Sequence, residues 1–573
     1  MADHTHPRLR RIVLIFLLLL AIIAGLALWF HYRTTLIPPE PQDTTSVNLV
    51  TENPAPDFYR IGPNWLKKSS SGLWEMYIEG KPFERGVING KLSKHLIAAQ
   101  EKAFIDQIRE MVPSAFYLHF LKYLIYWFNR DLDKYLTEEY KLEIYGISLS
   151  ASPQFDFIGS NYQRILNYHS AHDIGHALQD YRLVGCTSFG VWSEKSKDSN
   201  LIIGRNFDFY VGDEFARNKI ICFEKPDQGF GFMMVTWGGM VGAVSGMNEA
   251  GLTVTINAAK SEIPTSARTP ISIVAREILQ YASTISEAYA IAGKRQTFVS
   301  ESILIGSAKD GKAAIIEKSP FKIALVTSST SDICCANHFQ SPEFDSDPLN
   351  ILNKKENASV YRYKRLVQDI AGNSPLDYRG VAAILRDRQG LNGINIGMGN
   401  EKAMNQLIAH HSIIFMPEKL LVWVSTSPWQ IGPYVCYDLY KIFHNFARLQ
   451  QKVEITEAAL TIPSDDFLES IDYRNFMQFI VMRKDLRQKL KFGKTNLLPG
   501  SFLHDFRNSN PMCYEVYELI GDYYYQNNQW MHAQAEYRHA LSLVIPRLNE
   551  KRRIIGKLAE CNVRIIKAPR QGE

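Results

Sequence analysis

Chemistry in this chain can be built around Cys186. It stands in Val184-Gly185-Cys186-Thr187-Ser188-Phe189, and one hairpin further on comes Gly204-Arg205-Asn206-Phe207-Asp208-Phe209. A small residue before a cysteine offers its thiol an unhindered peptide carbonyl. If the Gly185–Cys186 bond is cut, the freed α-amine is a base beside its own nucleophile. An Asp and an Arg returning on the partner strand can hold that amine and thiol and set their protonation. A lone cysteine in an apolar strand is otherwise ordinary core, so the choice rests on the other residues.

Two amides add to the set. Asn257 follows the strand 252–256, and Asn337 lies in Cys334-Cys335-Ala336-Asn337-His338-Phe339, after the apolar run 323–326. Such groups donate N–H to an oxyanion without bringing a charge, although Asn is equally at home in turns. His169, His172 and His176 invite a metal reading. No Glu follows His172, the helical zinc-protease pattern fails, and no metal is expected.

The elements that must position these residues follow from turn and cap signals. Ser196-Lys197-Asp198-Ser199-Asn200 is a turn between strands 186–193 and 201–209. Further strands are expected at 219–224, 230–237, 240–247 and 252–256. Thr269-Pro270 opens one helix, and the capping box Thr284-Ile285-Ser286-Glu287 opens another that stops near Gly293. A hairpin of 302–307 and 313–318 turns at Asp310-Gly311. Strands, helices, then strands joined by hairpins predict an α+β layered sandwich with antiparallel pairing. Upstream, 80–90 reads as turns around a short strand and 92–147 as helical. The aromatic run Phe116–Phe128 reads as a buried helix, with a lipid-facing or ligand-facing helix as the other reading.

The chain has 573 residues, 46% hydrophobic and 21% charged, which is enough for more than one domain. Its 64 basic and 59 acidic residues leave a net charge of +5 and no case for nucleic acid. Seven cysteines without a CxxC pair indicate neither zinc nor a dense disulfide framework. Ile12 to Phe30 carries no charge, and nineteen residues at helical rise span about 28 Å, close to a bilayer core. Arg8, Arg10 and Arg11 precede it, and it ends in Trp29-Phe30-His31-Tyr32-Arg33. This predicts an uncleaved single-pass signal anchor with a cytoplasmic N-terminus and an extracytoplasmic remainder (periplasmic if the source is bacterial). The Pro-rich stretch 34–56 reads as an extended linker. The domains expected are 1–33 anchor, 34–56 linker, 57–185 and 186–440 as two segments of one catalytic unit, and 441–573 a helical tail.

Gly-Cys-Thr-Ser, Gly-Arg-Asn-x-Asp, Gly-Met-Asn-Glu-x-Gly-Leu-x-x-x-x-Asn and Asn-His-Phe, in that order, resemble the acyl-coenzyme A:6-aminopenicillanic acid acyltransferase family. This is peptidase family C45, of the N-terminal-nucleophile hydrolases, akin to choloylglycine hydrolases and penicillin V acylases. The resemblance covers roughly Gly80 to Leu439. It implies an αββα sandwich of antiparallel sheets, autocleavage at Gly185–Cys186, and Cys186 as nucleophile. It also implies Arg205 and Asp208 holding thiol and amine, Asn257 and Asn337 at the oxyanion and amine, and Arg362 against substrate. The implied reaction cleaves non-peptide amides, or transfers acyl groups, through a thioester, with no cofactor. Coenzyme A as a co-substrate has no phosphate motif behind it.

In the tail, Leu519-Ile520-Gly521, Tyr524, Ala533, Tyr537 and Ala540 fall on tetratricopeptide spacing, one unit at about 514–545. Partners expected are a small amide or acyl substrate, lipid-like by virtue of the anchor and aromatics, the membrane, and a protein at the tail. Two alternatives stay open: a non-catalytic tethered scaffold using the tail, and a thiol hydrolase without autoproteolysis in which His338 is the base.

Overall fold

The computed structural model describes residues 7–111, 114–178, 185–209, 213–262, 266–444, 454–493, 498 and 500–567. Among these, one sheet has eleven strands and a second has six. Turn chemistry sets the hairpins. Thr187–Ser193 pairs with Ser199–Phe207, and Glu301–Ser307 pairs with Lys312–Lys318 around Gly311 at φ 62°. Among the described strands pairing is antiparallel with one departure, Trp74–Gly80 running parallel to Ile220–Pro226; outside the strands, Ser196 with Leu376 and Thr269 with Thr297 form isolated parallel bridges. The parallel strand pair joins the segment before Cys186 to the segment after it.

Strand alternation creates the layers. Ile221 and Phe223 meet Ile203, Ile413 and Phe415 in a core between the sheets. Ile220 and Cys222 point the other way, into a core with Ile88, Ile144 and Ile278 from helices. On the outer face of the smaller sheet, Phe189, Ile202 and Ile414 pack with Leu366, Ile370 and Val381, which lie on helices Ser359–Asn373 and Tyr378–Leu385. The order is helices, sheet, sheet, helices.

Several local expectations change. Residues 82–92 are a helix, Pro82–Leu92, with Pro at its start and Glu84 reaching back to the Lys81 N–H. Its glycines are packing sites, not breakers. A Cβ on Gly86 would lie 2.0 Å from the Glu143 carbonyl oxygen, and one on Gly146 2.5 Å from that of Phe83. Residues 240–244 form a loop, and the strand is Ser245–Asn248. The stretch 34–56 lies along the domain: Leu36 is buried, Lys91 Nζ donates to the carbonyls of Val47 and Leu49, and Glu52–Ala55 is a strand.

The aromatic run is a helix, Ala115–Asn129, but Tyr117, Phe120, Tyr123, Leu124 and Trp127 are exposed, so burial is the wrong reading for that face. Periodicity identifies an apolar face without saying what covers it. Among the described residues one helix, Pro7–Thr34, holds a stretch long and apolar enough to cross a membrane, Arg10–Thr34. Its end packs on the aromatic helix, with the Phe30 ring stacked on Trp127 at 6.0 Å. Arg33 pairs with Asp131 at 3.1 Å.

The tail is helical. Tyr514–Gln526 and Trp530–Ser542 pack so closely that a Cβ on Gly521 would meet the Tyr537 ring at 2.4 Å.

Candidate active site

Gly185 and Cys186 enter the smaller sheet just before Thr187, in the register that pairs Thr187 with Asn206 and Ser188 with Arg205. Both are buried. Arg205 Nη2 donates to Cys186 Sγ at 3.9 Å. The guanidinium is anchored from behind: Nη1 donates to the Val244 carbonyl at 2.8 Å and to Ser245 Oγ, and Nη2 donates to the Ile256 carbonyl. It lies 4.3 Å over the Phe207 ring. Burial pushes the thiol up to about 11, against the downward pull of Arg205. A neutral thiol cannot attack without a proton acceptor beside it.

Asp208 holds the residue before the cysteine. Its backbone carbonyl accepts from Gly185 N at 2.9 Å, and its Oδ2 accepts from Gln406 Nε2 at 3.1 Å. Its Oδ1 is buried and has no partner among the described residues. Burial pushes this carboxyl up to about 7, with Arg362 and then Arg205 pulling it down.

Arg362 ties the site together. Nε donates to Thr187 Oγ1 at 2.8 Å, Nη1 to the Glu401 carbonyl at 2.8 Å, and Nη2 to the Cys186 carbonyl at 3.3 Å and to Asn337 Oδ1. Asn337 Nδ2 donates to the Ala258 carbonyl at 3.0 Å and Asn257 Nδ2 to the Cys335 carbonyl at 3.2 Å. Each amide therefore keeps a second N–H beyond that bond. Cys186, Arg205, Asp208, Asn337 and Arg362 converge, with Asn257 beside them on the strand that Arg205 grips.

His338 is engaged elsewhere. Its Nδ1 shares a hydrogen bond with Ser359 Oγ at 2.7 Å, its ring meets Tyr363 edge-on, and burial pushes it down to about 4. His169 bridges the Ile165 carbonyl and the Val241 N–H. The side chains of His172 and His176 lie outside those described.

Sequence reasoning missed Gln406. Besides Asp208, its Nε2 donates to the Gly185 carbonyl oxygen at 2.8 Å. It comes from irregular chain between helix Tyr378–Leu385 and strand His411–Met416, where no periodicity marks it. Ser245 and His411 were also missed. They hydrogen-bond at 2.8 Å behind Arg205, and the His410-His411 pair opening an apolar strand was the available signal.

The family model described as acyl-coenzyme A:6-aminopenicillanic acid acyl-transferase matches residues 192–424. Residues 192–424 are thus similar to this family. The match contains Arg205, Asp208, Asn257, Asn337, Arg362 and Gln406, and starts six residues after Cys186. An uncharacterised protein of Archaeoglobus fulgidus is 24% identical over 284 residues, covering 46% of this chain and 46% of that protein. The N-acylethanolamine-hydrolyzing acid amidase of Caenorhabditis elegans is 24% identical over 241 residues, covering 39% and 61%. The chain thus spans about half the length of these curated relatives. Among solved structures, the Caenorhabditis elegans ortholog of that amidase aligns at 15% identity and TM-score 0.29, covering 41% of this chain and 93% of that one. A C2A mutant of the conjugated bile acid hydrolase of Clostridium perfringens aligns at 12% and 0.32, covering 45% and 93%.

Proposed function

We propose that this chain is a self-processing thiol amidohydrolase or acyltransferase. The observation that carries the reading is the clamp on Gly185. Its N–H is held by the Asp208 carbonyl and its carbonyl oxygen by Gln406, while Arg205 holds the neighbouring thiol. A peptide carbonyl gripped by a donor, beside a nucleophile gripped by a cation, is a substrate in place.

In the first stage the Cys186 sulfur attacks the Gly185 carbonyl carbon. The C–S bond forms, the C–N bond breaks, and the departing nitrogen takes a proton. Water then releases Gly185 as a carboxylate. The α-amine left on Cys186 finds an acceptor in Asp208 Oδ1. In the second stage that amine takes the thiol proton as sulfur attacks a substrate amide. It returns the proton to the leaving nitrogen, and the spare N–H groups of Asn257 and Asn337 stabilise the oxyanion. Water or an amine resolves the thioester.

The N-terminal helix is read as a membrane anchor with the catalytic domain on the extracytoplasmic side. The exposed face of Tyr117, Phe120, Tyr123, Leu124 and Trp127, continuous with Trp29 and Phe30, supports the anchor; the side is read from Arg8, Arg10 and Arg11 before the apolar helix. Intact mass of the denatured full chain beside Cys186→Ala tests the reading. Two fragments divided at Gly185–Cys186, and one uncut mutant chain, are expected. A single uncut chain in both samples removes the α-amine mechanism.

A further inference from the structure

Gln406 reaches Gly185 from a stretch without regular structure, and irregular chain does not fix a side chain by itself. The stretch 397–407 lies inside the family match, yet much of what holds it comes from the helical tail. Met398 N donates to Asn510 Oδ1 at 3.1 Å, and Asn510 Nδ2 returns a bond to the Met398 carbonyl at 2.9 Å. Asn400 Nδ2 donates to the Val544 carbonyl at 3.0 Å and Lys402 Nζ to that of Ile545 at 2.8 Å. Arg547 Nε donates to Glu401 Oε2 at 2.6 Å. Asn510, Asn400 and Arg547 are buried.

These bonds all reach turns of the tail. Asn510 lies between helices Phe502–Ser509 and Tyr514–Gln526, and 544–547 lies between Trp530–Ser542 and Leu548–Lys567. The two turns therefore present polar groups to one loop, while the helix faces behind them form an apolar core.

The backbone of the loop is fitted to the tail at both ends. Gly397 has φ 82°, and a Cβ there would stand 2.8 Å from Cys513 N. Leu407 holds φ 54°, a left-handed conformation that a leucine keeps only where its surroundings over-determine it. Its side chain is buried in the tail's core with Phe476 and Phe479. Just before Gln406 the chain is tied the other way. Asn206 Nδ2 donates to the Met404 carbonyl at 2.9 Å and Asn405 N to the Asp387 carbonyl at 2.8 Å. Gln406 thus stands between an anchor on the family-matched side and an anchor in the tail.

We propose that the tail is a positioning element for self-cleavage, and that Asn510 is its positioning residue: by holding 397–407 it keeps the Gln406 amide on the Gly185 carbonyl. A donor serves an oxyanion only when it is already in place, and a misplacement of about 1 Å can cost about 10²-fold in rate. The inference rests on Gly185 as the residue whose carbonyl is attacked. It gives the tail a role in the reaction that needs no further partner.

The test follows self-cleavage of the full chain, synthesised cell-free into nanodiscs, as the uncut fraction after synthesis is stopped. Asn510→Ala is expected to slow cleavage at least about tenfold. In a Gln406→Leu chain there is no donor left to place, so adding Asn510→Ala is expected to change the remaining rate by less than about twofold. A variant that merely weakens the fold slows both backgrounds by the same factor. Equal slowing in both backgrounds, or cleavage of Asn510→Ala at the parent rate, overturns the proposal. Should Asn510→Ala fail to fold, Lys402→Met, which loses one bond to the tail at a half-buried position, goes through the same two comparisons. Should the parent itself stay uncut, the self-cleavage reading fails and amide hydrogen exchange decides the present one. Exchange over 397–407 at least about tenfold faster in the Asn510→Ala chain than in the parent retains the tail's hold on the loop, and unchanged exchange overturns it.

Discussion

Gln406 Nε2 lies 2.8 Å from the Gly185 carbonyl oxygen, joining residues 221 positions apart across the buried site. The same nitrogen donates to Asp208 Oδ2. A donor already aimed at a carbonyl that must become an oxyanion acts without reorganisation. Losing such a donor costs about 2.7–4 kcal/mol of transition-state stabilisation. Gln406→Leu is therefore expected to slow self-cleavage by about 10²–10³-fold, read as the uncut fraction over time on denaturing gels. Cleavage at the parent rate would remove Gln406 from the first stage.

Asp208 makes stability depend on pH. Its carboxyl is at about 7 in the folded chain because of burial, whereas an unfolded Asp ionises at about 3.9. Between these values the folded state holds a proton that the unfolded state has released. This contribution is fully present below about pH 4 and is lost as pH rises toward about 7, at most about 1.4 kcal/mol per pH unit. Urea denaturation of Cys186→Ala is expected to show this decline, and Asp208→Asn in that background should flatten it by one group's share. Identical slopes would mean that Asp208 is ionised throughout.

The nucleophile strand and its partner were legible because a turn at 196–200 sets the register and alternation does the rest; Arg205 and Asp208 follow from that one hairpin. Asn337 was legible as an amide following an apolar run, whereas Arg362 was reachable only through resemblance to a family, since nothing local links a helix residue to a strand end across the fold. Gln406 was not legible, because irregular chain carries no period. Gly86 was misread for a different reason: a glycine that breaks a helix and one that lets two helices touch look alike until the partner helix is known.

Under the proposed self-processing, the two fragments on either side of Gly185–Cys186 should stay together through a buried ion cluster. Arg85 and Glu143 precede Cys186, whereas Glu224 and Arg276 follow it. Arg85 pairs with Glu143 at 3.0 Å and with Glu224 at 2.9 Å, and Arg276 Nη1 donates to Glu224 Oε2 at 3.0 Å. All four are nearly inaccessible to solvent. Removing one charge leaves its partners buried and uncompensated, which typically costs about 3–5 kcal/mol. Glu224→Gln is expected to lower the urea midpoint accordingly, and to let the cleaved halves separate on size exclusion under conditions where the parent halves co-elute. Co-elution at an unchanged midpoint would show that the parallel strand pair and the shared apolar core join them without the ion cluster.

Membrane attachment predicts a lipid contact at Trp127. Its ring packs against Trp29 and Phe30 at the end of the apolar helix, and it remains 38% exposed. Exposed aromatics beside the end of a spanning helix belong at headgroup depth, where an apolar ring with a polar edge is accommodated. The full chain in nanodiscs containing phospholipids brominated near the headgroup should lose part of its tryptophan fluorescence, and Trp127→Phe should lose less. Equal quenching in both would place the helix Ala115–Asn129 away from lipid and leave its aromatic face for another partner.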